Sequence, residues 1–302
     1  PTQSDVEQAL AQTASNFAGR KIEELVDLPE MTEAEPLAAM RILSSSVAFA
    51  YQAQPELFVL IVLKKVYLSL TYGNTSLSAF SYVAYGVILC GILGDINSGY
   101  EFGKLALKMI EKLNIQQVKS KIEQTFNLFI SHYKNSLREL IKPFVEAHSN
   151  GIEAGDLEFT AYSISASCYT SYFMGKELVE LETEIAISSK IISQIKQQTV
   201  LYWNEIYRQT VLNLLNYNEN ISDLIGEAYN EKVNISIHIE TNNGVALIFL
   251  YLCKLQLSYF FAYYHQAIKN SEYTEKYLHR GTGMLVIPQF YFYDSLTRLA
   301  LC

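Results

Sequence analysis

Turn-forming residues are scarce in this chain, with six prolines and fourteen glycines among 302 residues. That is too few for an all-β fold, in which every short strand needs a turn. Cysteine is sparse as well: Cys90, Cys168, Cys253 and Cys302 stand far apart without a C-x-x-C pair. This spacing excludes a disulfide framework and a thiolate zinc site, and it reads as reduced thiols in a cytoplasmic protein. Positive charge is also limited, because 23 Lys and Arg against 31 Asp and Glu leave a net charge of −8 with no basic stripe. Binding nucleic acid means neutralising many phosphates, so nucleic acid is not an expected partner. The opening stretch PTQSDVEQALAQTASNF is polar and amphipathic rather than a signal peptide, and without an initiator Met it reads as part of a longer protein. Glycosylation triplets at Asn74, Asn220 and Asn234 stand without any other sign of secretion.

Apolar material is abundant. Half the residues are hydrophobic and only 18% are charged, which excludes disorder. The 22 tyrosines suit extensive half-buried surfaces, since each ring is apolar and each tip polar. Ser69 to Gly94 carries no charge, long enough to raise the question of a membrane span. Its SLTYGNTSLS portion breaks the run, however, and leaves an apolar helix of about sixteen residues, so a buried core helix is expected instead.

The usual signatures of catalysis are absent or broken. GILGDINSGYEFGK, from Gly91, resembles a phosphate loop, but only three residues separate Gly99 from Gly103 and Leu105 follows Lys104 where a magnesium-binding hydroxyl belongs. No G-x-G-x-x-G fingerprint occurs. FISHYKNSL, around His132, has a histidine kinase acceptor's Ser and His but lacks the acidic neighbour that takes the proton. HRGTG, from His279, carries Gly281 where a kinase loop needs its Asp. EELVDLPEMTEAE reads as a solvated acidic face. No metal, cofactor or catalytic residue is expected, although an enzyme site assembled from distant residues stays open as an alternative.

Breaks recur with a period of roughly 40 residues, close to that of two-helix repeats. YQAQPEL, LGDIN, YKNSL, MGKEL, NYNENIS and YYHQA read as turns inside helical hairpins. YGNTS, KLNIQQ, EAGDLE, QIKQQ and TNNG read as the joints between them. In ELIKPFVEAHSNG the stripe Leu140, Ile141, Phe144, Val145 and His148 is helical, with Ser136 and Glu139 at capping-box spacing and Pro143 near the helix start. NISIHIE, residues 234–240, is the one candidate strand. A lone hairpin leaves an apolar face wet, so hairpins stack. The expected fold is therefore all-α: residues 1–30 form a lead-in helix and acidic loop, and residues 31–302 a tetratricopeptide-like superhelical array of about six stacked hairpins. Small residues such as Gly86, Gly91, Gly103, Ala106, Ala161 and Ala166 are candidates for close helix approach.

Stacked hairpins present a concave groove, and tyrosines give contact area at low entropic cost. Tyr162 and Tyr169 lie two helical turns apart on one face, with Tyr172 beyond them. Asn204, Tyr207, Arg208 and Gln209 sit in the neighbouring repeat. Tyr162, Tyr169, Asn204, Tyr207 and Arg208 are thus candidates to line a site for a peptide carboxylate or an anionic ligand. The competing expectation is that the tyrosines pack between hairpins and Arg208 pairs with Glu205 or another carboxylate.

VEQALAQTASNFAGRKIEELVDLPEMTEAEPLAAMRIL, GDINSGYEFGKLAL, GDLEFTAYS, NEIYRQTVLNLL, GEAYNE and VIPQFYFYDSLTRLA give the chain a family likeness. It resembles the helical segment of large cyanobacterial-type hybrid kinases. In these, a serine/threonine kinase domain and an AAA-like ATPase domain precede a tetratricopeptide-like segment, followed by a GAF sensor and a histidine kinase core. The resemblance spans the chain but includes no catalytic motif. It implies a non-catalytic sensor or interaction module of a two-component signalling kinase. Its partners would be other domains of the same polypeptide or a signalling protein, with a small-molecule effector as the alternative and no cofactor, nucleic acid or membrane.

Overall fold

The computed structural model describes residues 1–17, 19–216 and 220–302. Among them the chain is helical throughout, and its only β-like features are two isolated bridges, Glu30 with Asn74 and Ile225 with Asn230. Contacts divide it into two compact units, Pro1–Lys134 and Asn135–Cys302.

The first unit holds α1 (Gln3–Phe17), α2 (Ala34–Ala53), α3 (Pro55–Tyr72), α4 (Ser76–Ile88), α5 (Ile96–Lys112) and α6 (Lys119–Phe129). The pairs α2/α3 and α4/α5 are hairpins, and α1 lies on α3. A short 3₁₀ turn, Ile22–Asp27, follows α1 and buries Leu25 and Val26. This turn is pinned by Asn74, whose Nδ2 donates to the Leu25 carbonyl at 2.7 Å and whose Oδ1 accepts from the Tyr82 hydroxyl at 3.2 Å. Asn74 is 4% exposed, so its glycosylation triplet is structural. Ser76–Leu93 is long and apolar enough to cross a membrane, yet 67% of it is buried inside this unit.

The second unit holds α7 (Leu137–Ala154), α8 (Leu157–Phe173), α9 (Leu178–Gln194), α10 (Gln198–Leu215), α11 (Glu231–Glu240), α12 (Gly244–Phe260), α13 (Tyr264–Tyr277) and α14 (Val286–Ala300). Here the hairpins are α7/α8, α9/α10 and α12/α13. EAGDLE and QIKQQ therefore close hairpins rather than joining them. The reason is that YKNSL falls at the division between the units, so pairing restarts with α7. Part of NYNENIS, residues 217–219, lies outside the described residues.

Two of the turns share a mechanism. Gly94 and Gly155 end their helices with φ of 72° and 71°, a left-handed conformation that an L side chain resists. Asp95 and Asp156 follow, and each carboxylate accepts a backbone N–H of the next helix, from Ser98 at 3.0 Å and from Phe159 at 3.2 Å. The pair Gly-Asp thus stops one helix and starts another.

Four local expectations need correction. NISIHIE is helical: Asn230 caps α11 by accepting from the Lys232 N–H at 3.1 Å, and the cap overrides the β propensity of the isoleucines. Ser136 makes no side-chain cap, its carbonyl instead accepting from the Glu139 N–H at 2.9 Å. The buried stripe of α7 is Leu140, Phe144, Ala147 and Gly151, while Val145 is 50% exposed. Pro143 lies well inside α7, where its missing N–H leaves the Glu139 carbonyl without its helical donor.

Candidate functional site

The residues singled out in the sequence lie where α8, α9, α10 and α12 meet. α10 packs against α8, α9 and α12, which buries Asn204, Tyr207 and Gln209 among its side chains. Tyr207 is fully buried and Tyr169 nearly so. Their rings stack with centroids 5.7 Å apart, Phe249 of α12 meets both at 5.2 and 5.5 Å, and Tyr172 reaches Tyr207 at 5.5 Å. Tyr162 joins this cluster only through Trp203, on which it stacks at 5.6 Å and which meets Phe249 edge-on at 6.1 Å, and its hydroxyl donates to Glu158 at 2.8 Å. The Trp203 indole in turn donates to Asn243 Oδ1 at 3.0 Å, the same oxygen that caps α12.

The polar candidates have close partners. Arg208 donates through Nε to Glu182 at 2.9 Å and through Nη2 to Glu227 at 2.7 Å, with Glu205 at 3.8 Å. Burial pushes the Glu205 carboxyl above the usual carboxylate range, opposed by a hydrogen bond from Ser189 and by the Arg208 charge. Asn204 donates to the Ile185 carbonyl at 3.1 Å and to Ser189 Oγ at 2.9 Å, tying α10 to α9. Gln209 accepts from the Ala228 and Tyr229 N–H groups and donates to Asn213, which pins the segment before α11. Arg208 thus meets two carboxylates besides the Glu205 anticipated from the sequence. Tyr169, Tyr172 and Tyr207 are brought together, Tyr162 reaches them only through Trp203 and Phe249, and Arg208 belongs to a separate carboxylate cluster.

Sequence reasoning missed several members. Phe249 sits in an apolar run with no distinguishing neighbour, and Glu182 and Glu227 lie 26 and 19 positions from Arg208. A second polar cluster was missed altogether. Lys254, only 8% exposed along its side chain, holds Glu231 at 2.6 Å and Asp223 at 3.5 Å. Beside it the Tyr229 hydroxyl and His238 Nε2 are 2.9 Å apart, and burial lowers the His238 pKa to about 4. The neutral imidazole is therefore the form present at pH 7.

The aromatic cluster makes a testable contrast. The Tyr207 hydroxyl is buried without a hydrogen-bond partner, whereas that of Tyr172 donates to Gln256 at 3.1 Å. Tyr207→Phe is expected to raise unfolding free energy by about 1 kcal/mol, and Tyr172→Phe to lower it by about the same amount. Urea unfolding of both variants measures this. Loss of stability in Tyr207→Phe would mean that its hydroxyl has a partner.

In the first unit, a cleft of about 480 Å³ opens between α1 and the α4/α5 turn. Phe17, Leu89 and Phe102 line it together with Arg20, Asp95 and Tyr85.

No family model matches the chain. It is similar to part of the hybrid signal transduction histidine kinase G of Dictyostelium discoideum, at 23% identity over 180 residues. The matched stretch is 59% of this chain and 5% of that protein. The chain thus shares a distant likeness with a region of a signalling kinase and spans a small fraction of its length.

Proposed function

We propose that this chain is a non-catalytic sensor and interaction segment of a larger signalling kinase, joining its ATPase or kinase domains to the signalling output. The observation that carries this reading is the likeness to a hybrid histidine kinase along 180 residues. The fold supports it, because paired helices present long surfaces for other domains and tetratricopeptide-like stacking is a common way to build them. Its partners are other domains of the same polypeptide or a second signalling protein in the cytoplasm. Most of the polar groups of the second unit's clusters are engaged with one another in helix-to-helix contacts, as Arg208 is with Glu182 and Lys254 with Glu231.

Incubation of the purified chain with ATP and magnesium tests the non-catalytic part. Phosphate release and phosphate incorporation are both expected to stay at the level of a heat-denatured control. Turnover that scales with protein concentration and survives repurification would overturn it.

A further inference from the structure

The cleft of the first unit combines features that the packing around it does not require. Its volume, about 480 Å³, falls in the range of small-molecule sites, about 300–1,000 Å³. Phe17 stacks on Tyr85 at 5.6 Å and meets Phe102 edge-on at 5.2 Å, which makes one wall a fixed aromatic surface. Two opposite charges line this apolar space, Arg20 and Asp95. Neither forms an ion pair with the other or with any described residue.

Both charges are nevertheless held in place. Arg20 Nη1 donates to the Leu70 carbonyl at 3.3 Å, which leaves most of the guanidinium fork unused. Asp95 Oδ1 accepts the Ser98 N–H at 3.0 Å as the cap of α5, and the Ser98 side chain is a second hydrogen-bond partner of the same carboxylate. The local hydrogen bonds keep its carboxyl below the usual range, so it is ionised at neutral pH.

We propose that this cleft binds a free α-amino acid with an apolar side chain, its carboxylate on Arg20, its ammonium on Asp95 and its side chain against Phe17, Leu89 and Phe102. A zwitterion satisfies both charges at once, whereas a simple acid or amine leaves one of them unmatched. A residue within a peptide has neither terminus and matches neither. Arg suits the carboxylate because its planar fork donates an N–H to each of the two oxygens. The assignment concerns a different unit from the clusters around Arg208 and does not depend on the interaction role proposed above.

Calorimetric titration of the full chain with L-leucine and L-phenylalanine tests it. The comparison ligands are isoamylamine and 4-methylpentanoate, which keep the leucine side chain but carry a single charge. Saturable binding of an amino acid is expected, at least about tenfold tighter than either analogue. Asp95→Asn retains a capping side chain while removing the charge, and Arg20→Gln removes the other; each is expected to weaken binding by about tenfold or more. Ala14→Trp, on the α1 side of the cleft, blocks the space without touching either charge and is expected to abolish binding. Two results would overturn the assignment: no saturable binding of either amino acid, or binding that Asp95→Asn and Arg20→Gln leave unchanged. Equal affinity for the singly charged analogues would reduce the site to an apolar cleft and defeat it as well.

Discussion

Lys65→Met is expected to raise the stability of the first unit by about 4 kcal/mol at pH 7, and by only about 1 kcal/mol near pH 9.5. Lys65 of α3 has no exposed surface and its Nζ has no hydrogen-bond partner. The ring of Phe80, 5.4 Å away, is shared with Lys121, whose Nζ lies at 4.2 Å from it. Burial is the first cause lowering the Lys65 pKa from 10.5 to about 7, and the Lys121 charge is the second. Unfolded chain therefore holds a proton that folded chain has lost between those values. Stability rises with pH from about 7 to 10.5 as this cost disappears, and below pH 7 the full cost is present because both states are protonated. Methionine fills nearly the same volume without a charge to desolvate. The measurement is the difference between variant and wild type in denaturant melts across pH, which removes the tyrosine and cysteine titrations common to both. A variant no more stable than wild type, or a difference that does not shrink as pH rises, would show that the amine finds a partner.

A large loss is expected at the crossing of α4 and α5. A Cβ placed on Gly86 would stand 2.7 Å from the Gly99 carbonyl oxygen and 2.8 Å from Ile130 Cδ1. One on Gly99 would meet Cys90 Sγ at 2.4 Å and the Gly86 carbonyl oxygen at 2.8 Å. Alanine is favoured over glycine inside a helix by about 1 kcal/mol, so propensity alone would make Gly86→Ala and Gly99→Ala stabilising. Backbone cannot yield as a flexible side chain can, and the two helices must separate. Each substitution is expected to cost about 3 kcal/mol or more, the upper range of overpacking. Gly94→Ala serves as the control: nothing lies within 4 Å of its Cβ position, so only the positive φ is penalised, by about 1 kcal/mol. Thermal or urea melts rank the three. A mild effect at Gly86 and Gly99 would show that the helices do not touch through their backbones.

That crossing was legible in the sequence. GILGDINSGYEFGK, once the phosphate loop was excluded, reads as a turn followed by a helix with small residues for close approach, and Gly99 and Gly103 occupy those places in α5. The Gly-Asp turns were legible because both halves of the signal are local, a left-handed glycine and a capping carboxylate. Pairing between helices was not. Nothing within YKNSL distinguishes a turn inside a hairpin from a division between units, since that depends on which distant faces are buried together. Likewise NISIHIE alternates as a strand would, and what makes it helical is the Asn230 cap together with the burial of His238. Among the candidate residues, the convergence of Tyr169, Tyr172 and Tyr207 follows from helical spacing, while the Glu182 and Glu227 partners of Arg208 depend on tertiary approach.

The central claim is that the segment transmits rather than performs the chemistry of a signalling kinase. Its most direct test is autophosphorylation of the full-length polypeptide with residues 1–302 intact, deleted, or carrying the helix-separating Gly86→Ala, each measured with and without upstream stimulus. The account predicts that phosphorylation of the kinase core persists in all three, and that its dependence on the stimulus is lost on deletion and weakened by Gly86→Ala. A kinase core that loses phosphorylation altogether without this segment would contradict the account. So would a stimulus response unchanged by the deletion.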